Sequence, residues 1–148
     1  MATTYITKSF KELTNDELYL ILQLRNEVFV VEQNCAFQDL DNKDQDSYHL
    51  ICMINGVLAG YSRLVPAGVS YREISIGRVI TAPAFRGLGL GKELMQNSVE
   101  ACQRLFKGST IRIGAQQHLS KFYNSLGFLA QGQPYDEDGI MHIEMLKL

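Results

Sequence analysis

The stretch Arg86-Gly87-Leu88-Gly89-Leu90-Gly91-Lys92 constrains the fold most, because it joins a predicted strand, Ile74 to Ile80, to a predicted helix, Lys92 to Phe106. Glycine has no Cβ, so Gly87, Gly89 and Gly91 can adopt φ > 0 and let a ligand come against the main chain, where successive N–H groups point outward. The first turn of the following helix adds unpaired donors and the positive end of its dipole. Arg86 and Lys92 bracket the turn with two cations suited to a diphosphate. Such a turn suits phosphate; the alternative is that the glycines serve only close strand-to-helix packing.

Two well-known phosphate motifs are excluded. A Walker A loop has four residues between its first glycine and Gly-Lys, followed by Ser or Thr. Here three residues separate Gly87 from Gly91-Lys92, and Glu93 follows. A dinucleotide fingerprint needs G-x-G-x-x-G and an acidic residue about 20 positions on; this chain has G-x-G-x-G, and no acid lies near Thr110.

The remaining elements follow from patterning. Thr14-Asn15-Asp16-Glu17 reads as a capping box, and Leu18, Ile21, Leu22 and Arg25, with Leu20, Leu24 and Val28, keep helical spacing behind it. His49 to Ile54 and Val57 to Val65 are apolar segments joined by Asn55-Gly56, which predicts an antiparallel hairpin. In the helix after the glycine turn, Met95, Val99, Cys102 and Phe106 form a core stripe. A strand Thr110 to Ala115, a short helix around Tyr123, and strands near Phe128 to Tyr135 and Ile140 to Lys147 complete the order. This is an α/β architecture: a mixed, mostly antiparallel central sheet with helices on both faces.

The 148 residues fit one domain, 1–148, with no linker or repeat to divide it. A net charge of −2 with 20% charged residues offers no basic face for nucleic acid, so small-molecule chemistry is favoured by elimination. Three cysteines form no C-x-x-C pair and their odd number argues against a disulfide framework. With no membrane-length apolar run and no secretory pattern at the N-terminus, a cytoplasmic protein that engages no membrane is expected. The histidines His49, His118 and His142 show no metal spacing, so no metal is expected.

The glycine turn matches the pattern Arg/Gln-x-x-Gly-x-Gly/Ala, and in this it resembles the acyl-CoA diphosphate loop of the GNAT superfamily of N-acetyltransferases. Lys121-Phe122-Tyr123-Asn124-Ser125-Leu126-Gly127-Phe128 is similar to the family's second hallmark, a short tyrosine helix closed by Gly-Phe. Val28-Phe29-Val30-Val31-Glu32-Gln33-Asn34-Cys35, Ile76-Gly77-Arg78-Val79-Ile80, Gly114-Ala115-Gln116 and Asp136-Glu137-Asp138-Gly139-Ile140 resemble the ElaA-like branch.

That resemblance implies roles. Val79, Ile80 and Thr81 would pair with the pantetheine arm and face the thioester oxygen, while Arg86, Gly87, Leu88, Gly89, Leu90, Gly91 and Lys92 would bind the diphosphate. Tyr123 would be the general acid for the departing thiolate, a phenol being protonated at neutral pH; the alternative is an aromatic packing residue. For the general base the candidates are Glu32, in the segment lining the acceptor side, and Glu73, before the strand. For both, a surface carboxylate is the competing reading.

Other polar residues carry weaker signals. Arg25 and Arg78 interrupt apolar segments and need partners if buried, which points to ion pairs, although Arg78 could instead bind an acidic group of the acceptor. Asp39, Asp41, Asp44 and Asp46 lack the spacing of a calcium loop and read as a solvated loop. His118 reads as a satisfied structural histidine, and Cys35 as a small buried hydrophobe.

The expected function is transfer of an acyl group, acetyl from acetyl-CoA as cosubstrate, to a primary amine by direct attack in a ternary complex. The alternative is a non-catalytic acyl-CoA-binding regulatory module of the same fold. The acceptor would be a small-molecule or peptide amine, and an exposed edge strand leaves a homodimer open.

Overall fold

A computed structural model describes residues 3–148. The chain runs β1 (Thr3–Ser9), α1 (Asn15–Arg25), β2 (Tyr48–Ile54), β3 (Val57–Val65), β4 (Ser75–Thr81), α2 (Leu90–Leu105), β5 (Ile111–Gln116), α3 (Ser120–Asn124), β6 (Leu129–Glu137) and β7 (Ile140–Lys147). The strands form two antiparallel sheets, in the orders β1-β2-β3-β4 and β5-β7-β6. They meet at one parallel bridge, Ile74 to Ile111.

Local chemistry explains the elements. At the start of α1, Thr14 Oγ1 accepts from the Glu17 amide at 3.1 Å and Glu17 Oε1 accepts from the Thr14 amide at 2.8 Å, a reciprocal capping box. Asn55 and Gly56 take φ of 51° and 78°, the two left-handed positions a tight β2–β3 hairpin requires. Past Arg25 the helix widens into a π-helical segment, Asn26–Glu32, which the sequence pattern does not separate from α1. β1 was not predicted either; it pairs along its whole length with β2.

The two faces of the first sheet carry separate cores. Ile51, Tyr61 and Ile80 pack with Ile21, Leu24 and Val28 of the first helix and its π-helical extension. Leu50, Cys52 and Leu64 pack on the opposite face with Leu94, Met95 and Cys102 of α2. Residues 50, 51 and 52 alternate between the faces, as the pleat of a strand demands. Helices therefore cover both faces. The expected stripe holds, with Met95 and Cys102 fully buried and Val99 and Phe106 packed at its margin.

Candidate active site

β4 and β5 run parallel but touch only where they begin. There the Arg112 amide donates to the Ile74 carbonyl at 2.8 Å, and the Arg112 guanidinium binds Glu73 at 3.1 Å and Glu144 at 2.8 Å. These contacts pin the closed end of a V. Beyond it, among the described residues, β4 has a strand partner only in β3, which leaves its other edge facing the gap. The gap is a cavity of about 810 Å³ lined by Val79, Ile80 and Thr81 on one side and by Ile113, Gly114 and Ala115 on the other. Unpaired strand backbone along a cavity can hydrogen-bond an extended ligand as an added strand would. Glu73 sits at the clamp, and its hydrogen bond with Arg112 holds its carboxyl below the ordinary glutamate range.

A bulge bends β4 at the cavity. The register with β3 shifts between Tyr61 and Arg63, and Arg78 takes φ of 50°, which a non-glycine residue adopts only when its surroundings hold it there. The holding contacts are ionic. Arg78 Nε lies 2.7 Å from Asp39 Oδ1, too poorly aligned for a hydrogen bond but an ion pair, and Nη2 donates to the Asp39 carbonyl at 3.1 Å. Asp39 also pairs with Arg25 at 2.7 Å, Asp44 with Arg25 at 2.8 Å and Arg63 at 2.9 Å, and Asp41 with Arg63 at 2.7 Å. Three guanidiniums thus meet three carboxylates, the only balance that makes burying such groups tolerable. This corrects two expectations. Asp39, Asp41 and Asp44 do not form a solvated loop; only Asp46 stays exposed. Arg78 is committed to core carboxylates and is not free to bind an acidic acceptor. Arg63, unremarked in the sequence, completes the set.

At the glycine turn, Gly87 and Gly89 take φ of 82° and 74°, and a Cβ at either would point into open space. Gly89 is the left-handed cap of α2, so the helix starts at Leu90, two residues before the predicted start. Gly91 consequently lies in the first helical turn, without the positive φ its neighbours have, and faces the cavity beside Thr81 and Phe122. Arg86 also reaches the cavity, but its guanidinium grips Glu32 through two hydrogen bonds of 2.6 and 2.7 Å. Leu88 is exposed and Leu90 buried. Lys92 opens onto a second, smaller cavity of about 490 Å³ with Lys147. Glu32 lies at the cavity wall, and its hydrogen bonds with Arg86 lower its pKa, which weakens it as a proton acceptor in this state.

Tyr123 is buried on α3 between Phe122 and Phe128, edge-on to both rings, and borders the cavity. Burial pushes its pKa up to about 12. Its hydroxyl makes no hydrogen bond among the described residues, so a proton is available to a group in the cavity. His118 is exposed on the cavity rim and is not the satisfied structural histidine expected. Cys35 is buried, as expected, and donates to the Asp138 carbonyl at 3.1 Å, joining the segment after Glu32 to the β6–β7 turn.

The sequence assigned no role to the far wall of the cavity, although Gly114-Ala115-Gln116 and Asp136 to Ile140 stand among the blocks that resemble the ElaA-like branch. A Cβ at Gly114 would lie 3.0 Å from the hydroxyls of both Tyr71 and Tyr135. Tyr135 stacks on His142 with ring centroids 6.0 Å apart, and His142 Nε2 lies 3.3 Å from Glu137 Oε2. The signals available were Gly114 in a strand, where glycine marks close approach, and the carboxylate run Asp136-Glu137-Asp138.

A splayed pair of parallel strands, a bulged strand edge, a glycine turn opening a helix and a tyrosine helix beside the gap define the GNAT fold class. The chain belongs to the GNAT acetyltransferase family, whose model, described as an acetyltransferase (GNAT) domain, matches residues 11–148. It is 41% identical to protein ElaA of Escherichia coli over 138 residues, 92% of this chain and 90% of that one. The crystal structure of E. coli ElaA superposes with a TM-score of 0.92 at 38% identity, covering 99% of this chain and all of that one. An acyl-CoA N-acyltransferase from Pseudomonas aeruginosa superposes with a TM-score of 0.94 at 40% identity, with coverage of 99% and 100%. A GNAT acetyltransferase from Elizabethkingia anophelis solved with acetyl-CoA bound shares the fold alone, at a TM-score of 0.65 and 15% identity over 98% of this chain and 97% of that one.

Proposed function

We propose that the protein is an acyl-CoA-dependent N-acyltransferase that transfers acetyl from acetyl-CoA to a primary amine by direct attack in a ternary complex. The observation that carries this is the cavity between β4 and β5, with Arg86 and Gly91 of the glycine turn and Tyr123 of the short helix among its lining residues. The acetyl-CoA bound in the Elizabethkingia relative supports the choice of donor.

Each part has a task. The free edge of β4 at Val79, Ile80 and Thr81 pairs with the amides of the pantetheine arm, and one of its N–H groups faces the thioester oxygen, where negative charge develops. Gly87 and Gly89 let the diphosphate reach main-chain donors at the α2 start, and Arg86 supplies positive charge once the diphosphate displaces Glu32 from it, whereas Lys92 lies on the second cavity. Tyr123 donates its proton to the leaving sulfur; its raised pKa keeps the phenol protonated at any physiological pH. Glu32, in its Arg86-bound state, belongs to the diphosphate side. Removal of the ammonium proton falls to another group.

The test is thiol release from acetyl-CoA across a panel of primary amines, in wild type and Tyr123→Phe. Amine-dependent release that Tyr123→Phe lowers about 100-fold or more supports the reading. Saturable binding of acetyl-CoA without release for any amine would leave the regulatory module in its place.

A further inference from the structure

We infer that His142 and Glu137 form the acceptor-amine site, with His142 Nε2 taking the proton from an incoming ammonium. This rests on the acyltransferase reading of the same cavity.

The hydrogen bonds fix the chemistry. His142 Nδ1 lies 2.8 Å from the Ile140 carbonyl, and a carbonyl only accepts, so Nδ1 carries a proton. In the neutral imidazole, Nε2 then holds the lone pair. It lies 3.3 Å from Glu137 Oε2, which is also an acceptor, and the two share no hydrogen bond. Two acceptors lie side by side, and an ammonium placed between them satisfies both by donating one N–H to each. The histidine is over nine-tenths buried and fixed by its Tyr135 stack, whereas the Glu137 side chain is 58% exposed. The rigid member is therefore inside and the carboxylate stands where a cation arrives from water.

The carboxylates on the first-helix and aspartate-loop side of this cavity are occupied. Of the carboxylates that line it, Glu32 is bound by Arg86 and Asp41 by Arg63. Among the described residues, Glu137 and Asp138 of the C-terminal hairpin are the lining carboxylates that no guanidinium holds, and of the two Glu137 lies beside His142 Nε2. The groups facing His142 are Glu137, Tyr135 and the Asp138 turn from the hairpin, Gln116 of β5 beside it in register, and Tyr71 across Gly114.

The step balances as follows. Nε2 accepts one proton from R–NH3+, and the imidazolium is held by Glu137 until it returns that proton to water. The freed nitrogen lone pair forms the N–C bond to the thioester carbonyl, and the C–S bond breaks. The sulfur leaves with the proton of Tyr123, and the second nitrogen proton reaches the phenolate through water.

The experiment uses the full chain, 15N-labelled at histidine, saturated with CoA and titrated with 1,4-diaminobutane as the probe amine. A saturable change in the His142 ring nitrogen signals is expected, moved to about tenfold higher diamine or beyond by Glu137→Gln, since a charge-assisted hydrogen bond is lost. Glu137 is exposed, so that variant keeps its fold, and unchanged CoA affinity confirms it. Unaltered His142 signals in a chain that binds CoA overturn the inference alone. Failure of CoA to bind overturns the acyltransferase reading with it.

Discussion

Arg86 and Glu32 are joined by two hydrogen bonds of 2.6 and 2.7 Å, so the arginine assigned to the diphosphate is already neutralised by a carboxylate from the end of the first helix. Acyl-CoA must displace that carboxylate to reach Arg86. Both partners are exposed, which makes the pair weak and easily exchanged. Glu32→Gln is expected to raise CoA affinity by up to about fivefold in a calorimetric titration. A hundredfold loss of turnover at unchanged CoA affinity would instead return Glu32 to the role of base.

Gly89 holds a left-handed φ of 74° at the start of α2. Valine there is strained by about 1–2 kcal/mol and carries its side chain into the open space through which a diphosphate approaches. Gly89→Val is expected to lower CoA affinity more than tenfold while Tm falls by only a few degrees. An unchanged affinity would exclude this turn as the diphosphate site.

The buried ion network sets stability. Arg25→Met removes the cation shared by Asp39 and Asp44 and leaves two buried carboxylates short of charge, a loss of about 3–5 kcal/mol expected in denaturant unfolding. A loss below about 1 kcal/mol would mean that the network does not set stability.

Two groups give stability a pH dependence. Burial lowers the pKa of His49, which Tyr61 and Asp44 bond while Arg25 and Arg63 repel its cation. A depressed folded pKa adds stability above the unfolded value of about 6.5 that is lost as pH falls through the folded one. For Asp41, burial opposes ionisation, but the hydrogen bonds and charge of Arg63 outweigh it and hold the carboxyl below the usual range. Its contribution is present above about 4 and is lost below that. Tm is therefore expected to decline gently from about pH 6.5 and steeply below about pH 4, and His49→Gln should remove the first phase only.

The legible parts of this fold are those whose cause is local. The capping box at Thr14, the Asn55-Gly56 turn and the α2 stripe each act within a few residues, and all three stand where the pattern puts them. β1 escaped because its Thr-Thr-Tyr-Ile-Thr-Lys-Ser is polar and lies at a sheet edge, where little apolar surface is buried. The aspartates read as solvated because their partners come from elements far apart in sequence: Arg25 from α1, Arg63 from β3 and Arg78 from β4. The splay escaped for a similar reason, since it is a relation between β4 and β5 that neither strand encodes by itself. Resemblance to a family supplied only its consequence, the pairing of Val79, Ile80 and Thr81 with the pantetheine arm.

The most direct measurement is a calorimetric titration with acetyl-CoA, beside CoA and adenosine 3′,5′-bisphosphate, on wild type and Gly89→Val. Saturable binding that needs the pantetheine arm and collapses in the variant is expected. Heat from the nucleotide alone, or binding that Gly89→Val leaves intact, would contradict a cofactor lying between β4 and β5 with its diphosphate on the glycine turn.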